Sequence, residues 1–449
     1  MRTELRLARQ LTRGAGRREG ARFALMALGA ALATGFALVA VALASLRSGQ
    51  FRVSVGNGLL DTPGVRDGVI VALLLLLVPV LGFLGQCTRI GAVQRERRFA
   101  GLRLAGATPG QVRGIAALET GLACLVGGAV TTVVAVLVLV RAWSAPNAFT
   151  WAGVALVAVA VPVLGALAGA GAMHRVVASP LGLVRRVRPG GGRRAGLVCA
   201  AGVLLVAVVP LAGAVTTARG SAALPLLVFG PVLAVGAGAV GLSGAVAGLV
   251  GRRLAVRART AATLIAAERL RDDPWAAARS HAAVLLVTVA GAGFVGIRGT
   301  LVATLDAMGW HTAEERSFYV TGLDVTAFAI VVALGVTLAG LAVGTAESVA
   351  NRRRGLAAQH AAGVERAVLG RALLLETALP LAPALLLAGV GGTAVGVWYD
   401  LLAGPAGTTA TPYPGLLVPL GVYALCLAAA ATALPRLRRS VRPTELRYA

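Results

Sequence analysis

The sequence predicts an all-α polytopic membrane protein of about ten transmembrane helices, arranged as two parallel four-helix repeats joined by a two-helix hairpin. Three observations carry that reading. Hydrophobic residues fill 57% of the 449 positions, more than soluble domains hold. Apolar segments of about 20 residues, each long enough to cross a bilayer core, recur along the whole chain. The positive charge is concentrated in alternate connections between them.

The apolar segments centre on residues 24–45, 67–88, 114–140, 151–173, 195–216, 224–249, 281–298, 323–346, 371–398 and 413–434. The first is longer than the apolar run of a signal peptide and follows a cationic stretch, so it is expected to stay as a span. All 43 basic residues are arginine. With the N-terminus inside and ten crossings, 36 of them fall in inner segments and 7 in outer loops. That asymmetry is the positive-inside rule and sets both termini in the cytoplasm. The net charge of +25 is therefore topological. It suits anionic membrane lipids and does not indicate nucleic acid. The lack of lysine and the abundance of Ala, Gly, Arg and Val fit a GC-rich bacterial genome, hence a bacterial plasma membrane.

The chain repeats itself at an offset of 257 residues. Gly106 recurs as Gly363, Glu119-Thr120 as Glu376-Thr377, Asp67 as Asp324, Pro162 as Pro419 and Arg97 as Arg354. Internal repetition at a fixed offset marks duplicated units. Residues 1–192 form the first four-span unit, 193–257 the two-span hairpin, and 258–449 the second unit. An even number of spans separates the copies, so both have the same orientation. An arginine-rich segment with helical apolar spacing precedes each unit. In the second, "TAATLIAAERLRDDPWAAAR" sets Leu264, Ala267 and Leu270 on one face, as an interfacial amphipathic helix would. Gly251–Thr260 reads as the junction before it.

The longest outer loops are expected at about 47–66 and 299–322, too short for a large extracytoplasmic domain. They favour a substrate that arrives through the bilayer: a lipid, a lipophilic peptide or a hydrophobic drug. Trp310, Phe318 and Tyr319 in the second suit the headgroup region. Asp67 and Asp324 stand where spans 2 and 8 begin, complementing the helix dipole.

Nothing in the chain reads as an enzyme or as a cofactor or metal site. A phosphate-binding P-loop needs a lysine, and there is none. "GAGAVG" at Gly236–Gly241 lies inside an apolar span, where small residues serve helix packing. Cys87, Cys124, Cys199 and Cys426 lie within or at the ends of apolar segments, without disulfide or ligand spacing.

The stretch "RERRFAGLRLAGATPGQVRGIAALETGLACLVGG" (Arg95–Gly128) joins spans 2 and 3. It predicts a short basic helix that Gly106 stops, then a new helix with Thr108 as cap and Pro109 in its first position. Glu119 then sits inside span 3, as Glu376 sits inside span 9. Three roles are open to these acids: an ion pair with a neighbouring arginine, transmission of motion, or proton relay.

This stretch resembles the hallmark of the FtsX-like permease family, membrane subunits of one class of ABC transporters that includes macrolide-exporter, lipoprotein-release and bacitracin-resistance permeases. Arg97, Phe99, Ala100, Leu102, Arg103, Gly106, Ala107, Thr108 and Glu119 match its pattern, while Arg98 stands where the family usually has an acid. In the second copy Arg354, Leu356, Ala357, Gly363 and Glu376 match, and Gln359, His360 and Val364 depart. The resemblance implies a permease that binds no cofactor itself and is driven by a separate cytoplasmic ABC ATPase, which holds ATP and Mg. It implies one ATPase-coupling helix from Arg97 to Pro109 and another through Arg354, Leu356, Gly363 and Val364, with Glu119 and Glu376 as candidate coupling acids. Two such helices in one chain match the two docking grooves of an ATPase dimer. Export or extraction of a lipophilic substrate is the leading expectation. Transmembrane signalling driven by the same kind of ATPase is the alternative. A secondary transporter is disfavoured by the scarcity of intramembrane charge.

Overall fold

The computed structural model describes residues 17–45, parts of 69–88, then 92–142, 146–172, 224–307, 313–403 and 413–440. Among the described residues the fold is helical throughout, and eight helices are long and apolar enough to span a bilayer. They correspond to expected spans 1, 3, 4 and 6 to 10. Expected span 2 is described only in part, and span 5 lies outside the described residues, as do the junction near residue 192 and Asp67.

The chain divides into two compact units. The first contains α1 (Arg17–Ser45), α2 (Ala92–Leu104), α3 (Pro109–Ala142) and α4 (Ala148–Ala172). Helix α3 packs on both α1 and α4. Small residues permit this closeness: a Cβ at Gly127 of α3 would run into the Ala27 carbonyl of α1. Asn147 ties the far ends together. Its Nδ2 donates to the Ser45 carbonyl at 3.0 Å, and its Oδ1 accepts from the Thr150 N–H at 2.8 Å. One side chain thus satisfies a carbonyl at the end of α1 and an amide at the start of α4. The apolar faces left open on α3 and α4, among them Val130, Val134, Leu156 and Leu164, are the faces a bilayer would cover.

The second unit contains α5 (Leu224–Arg257), α6 (Ala261–Asp272), α7 (Pro274–Ala307), α8 (Ala313–Asn351), α9 (Arg353–Ala361), α10 (Arg366–Ala403), α11 (Tyr413–Ala431) and α12 (Leu434–Ser440). Helix α7 packs against α5, α8, α10 and α11. Val235, Leu285, Val289, Leu381, Leu385 and Cys426 belong to the core around it. Glycines set the α7–α10 crossing, where a Cβ at Gly296 would meet Gly396 Cα at 2.9 Å. Gly236 packs on Leu286, in keeping with a packing role for "GAGAVG". Cys87, Cys124 and Cys426 are free and buried.

Four expectations need correction. Helix α5 runs on to Arg257, through most of the stretch read as a junction. Gly251 lets it lie against α6, since a Cβ there would meet the Arg271 N–H nitrogen at 2.8 Å. On α6 the buried face is Ala262, Ala266, Ala267 and Leu270, while Leu264 is 44% exposed. Steps of three residues drift round a 3.6-residue helix, so Leu264 leaves the face that Leu270 holds. The expected outer loop 299–322 is largely helix, because α7 continues to Ala307 and α8 starts at Ala313. Gly299 and Gly322 stand at the two expected ends, but a helix tolerates a single glycine at a cost of about 1 kcal/mol, and both lie within helices here. Asp324 therefore lies well inside α8, away from its N-terminus, and pairs with Arg298 at 3.0 Å.

Candidate functional site

In the first unit the short basic helix α2 ends and the spanning helix α3 begins within five residues. Gly106 makes the turn at φ +96°, a left-handed conformation open to glycine. The Ala107 N–H donates to the Leu102 carbonyl at 2.9 Å and the Gly106 N–H to the Arg103 carbonyl at 3.1 Å. These two bonds make a Schellman ending. Thr108 and Gln111 then cap α3 reciprocally: the Gln111 N–H donates to Thr108 Oγ1 at 3.3 Å and the Thr108 N–H to Gln111 Oε1 at 2.8 Å. Pro109 occupies the first helical position, where its missing N–H costs nothing.

The corner is held from inside. Phe99 is fully buried against Val112, Ile115 and Ala116, with Leu102 and Ala107 packed alongside. Arg103 turns back, and its Nη1 donates to the Ala107 carbonyl at 3.0 Å. Arg97 lies on α2, its side chain outside the described ones. The surface of the corner consists of Leu104, 66% exposed, with Ala105, Gly106, Thr108 and Pro109. Leu102 and Arg103 thus stabilise the corner, and Leu104 is its outward apolar residue.

Above the corner lies Glu119, with its side chain 5% exposed. Arg98 Nη2 donates to it at 2.6 Å and Arg22 Nη2 at 3.3 Å. Arg98 Nη1 also donates to Glu19 at 3.2 Å. Two arginines and two glutamates thereby join α1, α2 and α3 in a neutral network. The acid missing at position 98 is replaced by a cation that meets the acid of α3.

The second unit repeats the corner with different side chains. Gly363 has φ +95°. The Val364 N–H donates to the Gln359 carbonyl at 3.1 Å and the Gly363 N–H to the His360 carbonyl at 3.0 Å. His360 Nδ1 lies 2.9 Å from the Val364 carbonyl, which only accepts, so the histidine is the donor. It reproduces the bond Arg103 makes. Leu356 and Val364 pack on the cluster of Val349, Leu369 and Leu373, and Arg354 is exposed.

Glu376 is held differently. Arg352 donates to both its oxygens at 3.0–3.1 Å and to Ser348 Oγ at 2.8 Å. Arg269 of α6 stands 3.7 Å away. Burial first, and then the Arg352 guanidinium, pull the pKa of Arg269 down. By the 257-residue offset Arg352 corresponds to Arg95, and Gly355 to Arg98. Arg95 donates instead to the Thr88 carbonyl at 2.7 Å. The duplication has kept the acid and exchanged its arginine. The cations themselves, together with Leu104, escape sequence reasoning. Nothing in the spacing of so many arginines tells which one meets a glutamate.

Residues 69–181 and again 327–441 match the model of the FtsX-like permease C-terminal domain. The chain belongs to the FtsX-like permease family. Comparison with curated proteins and with solved structures gave no match. Both matched segments contain a corner and its acid, so this FtsX-like permease is a duplicated one. Membership makes it a multi-pass membrane protein of the ABC transporter type, or a related subunit. Such permeases are normally non-enzymatic and work with a cytoplasmic ABC ATPase. Among the described residues no group of His, Cys, Asp and Glu could hold a metal ion.

Proposed function

We propose that this FtsX-like permease is the transmembrane subunit of a bacterial ABC exporter, with its termini and the helices α2 and α9 on the cytoplasmic side. The observation that carries the reading is the buried ion pair at Glu119. It fastens the short basic helix to the spanning helix α3 ten residues beyond the corner, with a weaker counterpart at Glu376. A knob fastened in this way cannot shift without carrying α3 along. The Schellman turn, the capping box and the Phe99 cluster stiffen the corner, so a push at its surface reaches the bilayer as movement of α3.

The partner is a cytoplasmic ATPase dimer that binds ATP and Mg and docks on these corners. Leu104 is the apolar anchor of the first. The second offers Ala361 at the equivalent position and is the weaker contact. One permease chain then serves two ATPase subunits. The cargo is an amphipathic or lipophilic molecule, a drug, lipid or peptide, taken from the bilayer, because α7 and α8 approach their connection as helices and leave little chain for a soluble binding domain there.

Purification from membranes tests this reading. An ATPase should co-purify, and lipophilic compounds should stimulate its turnover. A co-purifying ATPase that ignores lipids, peptides and drugs alike would overturn transport in favour of signalling. Absence of any ATPase would overturn both.

A further inference from the structure

The two corners differ in one way that the coupling role does not use. In the second unit a cavity of about 230 Å³ opens beside Glu376, among α6, α8, α9, α10 and α12. Two substitutions between the copies account for it. Arg98, whose guanidinium stands on the acid Glu119 in the first unit, is replaced by Gly355. Phe99, fully buried, is replaced by the smaller Leu356. A Cβ at Gly355 would meet nothing within 4 Å.

The charge balance changes with the shape. Arg22, Arg98, Glu19 and Glu119 sum to zero. At the second corner the counterpart of Glu19 is Ala276, and Arg269 and Arg352 face the single carboxylate of Glu376. Arg352 already spends its guanidinium on Glu376 and Ser348. Arg269 has a separation of 3.7 Å and a side chain 45% exposed, with Asp272 and Asp273 in electrostatic reach but exposed at the end of its helix. Its guanidinium is the under-used charge. Aliphatic side chains line the rest, notably Ile265, Leu369 and Leu437.

We propose that this cavity binds the phosphate headgroup of an anionic phospholipid, with the phosphate on Arg269 and the start of the apolar stem along α10 and α12. A phosphate accepts paired guanidinium hydrogen bonds. The aliphatic lining suits an amphiphile better than a free anion. The volume falls below the roughly 300–1,000 Å³ of sites that enclose drug-sized ligands, so the site fits a headgroup and is separate from the cargo pathway. At the first corner Arg98 stands on Glu119 instead, and the charges of that network are already matched. The proposal rests on the chain lying in a bilayer and is independent of the ATPase.

The full chain, purified in detergent, is incubated with phosphatidylglycerol or with phosphatidylcholine and examined by native mass spectrometry. Arg269→Gln removes the charge. Gly355→Arg restores the arginine of the first copy and fills the cavity. Arg271→Gln, on the same helix but paired outward with Glu268 at 3.4 Å, is the control. Wild type and Arg271→Gln should bind one phosphatidylglycerol about tenfold more tightly than phosphatidylcholine. Both cavity variants should lose that preference while keeping wild-type helicity by circular dichroism. If Gly355→Arg fails to fold, Arg269→Gln alone decides. Equal retention in wild type and Arg269→Gln, or an equal loss in Arg271→Gln, overturns the proposal. Displacement of the lipid by millimolar inorganic phosphate would identify a free-anion site and overturn the lipid. A wild type that binds no lipid, with a Gly355→Arg variant that loses the ATPase, would make the cavity a protein contact and equally overturn it.

Discussion

Glu119→Gln is the most direct probe of the tie between α2 and α3. The substitution keeps the shape of the side chain and removes its charge, leaving Arg22 and Arg98 facing an amide. Removing one member of a buried ion pair costs about 3–5 kcal/mol. Two features reduce that figure here. Arg98 is 25% exposed and keeps Glu19 at 3.2 Å, and glutamine still accepts one hydrogen bond. About 2–3 kcal/mol remains, which corresponds to a roughly 30- to 160-fold rise in the population of released α2. At the second corner Glu376 is 15% exposed, and Arg352 retains Ser348, so Glu376→Gln should cost about 1–2 kcal/mol. Hydrogen–deuterium exchange of the full chain in nanodiscs reads the difference, since amide protection reports local opening. Peptides covering 92–104 should exchange faster in Glu119→Gln, while those covering 148–172 stay unchanged. Unchanged exchange over 92–104, or a larger effect of Glu376→Gln on its own corner, would refute the reasoning.

Four further outcomes are expected. Leu104→Asp should weaken ATPase co-purification at least tenfold, because losing a buried leucine contact forfeits about 1.5–3 kcal/mol, whereas Leu102→Asp should instead lower the thermal stability of the permease; equal co-purification of wild type and Leu104→Asp would reject the docking face. Gly106→Ala and Gly363→Ala should each lose about 1–2 kcal/mol in thermal unfolding, nearly equally, since φ is +96° and +95° and neither site is crowded, yet ATP-dependent activity should fall further for Gly106→Ala; identical activity losses would deny the asymmetry. Single cysteines at Ala105 and Ser317 of a cysteine-free variant should react with an impermeant reagent from opposite sides of the membrane, and reaction of both from outside would reject the topology. Native mass spectrometry should find two ATPase chains per permease, against which two permease chains per ATPase dimer would count.

The sequence discloses what repeats and what punctuates. Gly106, Thr108 and Pro109 announce a stop and a restart, and the structure puts a left-handed turn, a cap and a first helical residue at those positions. Long apolar runs disclose the spans for the same reason, since a bilayer sets their length. What lies outside the spans is harder. Residues 299–307 and 313–322 and those from Gly251 to Arg257 are helical because their neighbours pack, which composition does not show. The acids of the candidate site stand out as rare charges in apolar surroundings. Their arginines do not, because Arg22, Arg98 and Arg269 come from three different helices and Arg352 from the residue between α8 and α9, and all meet the acids only after the helices have docked.

Helix α8 has 39 residues, which at 1.5 Å each makes a rod about 58 Å long, nearly twice a hydrocarbon core of about 30 Å. It is followed after Arg352 by α9, without a loop between them. Under the coupling role proposed above, a rod of that length would act as a lever arm pivoted in the bilayer. Rocking it by about 10° about its midpoint swings each tip by about 5 Å, so a stroke no longer than a side chain at the α9 end is delivered undiminished at the end that bears Arg316. The α7–α8 connection needs no elasticity of its own for that: the gear ratio is fixed by where along the rod the membrane grips it.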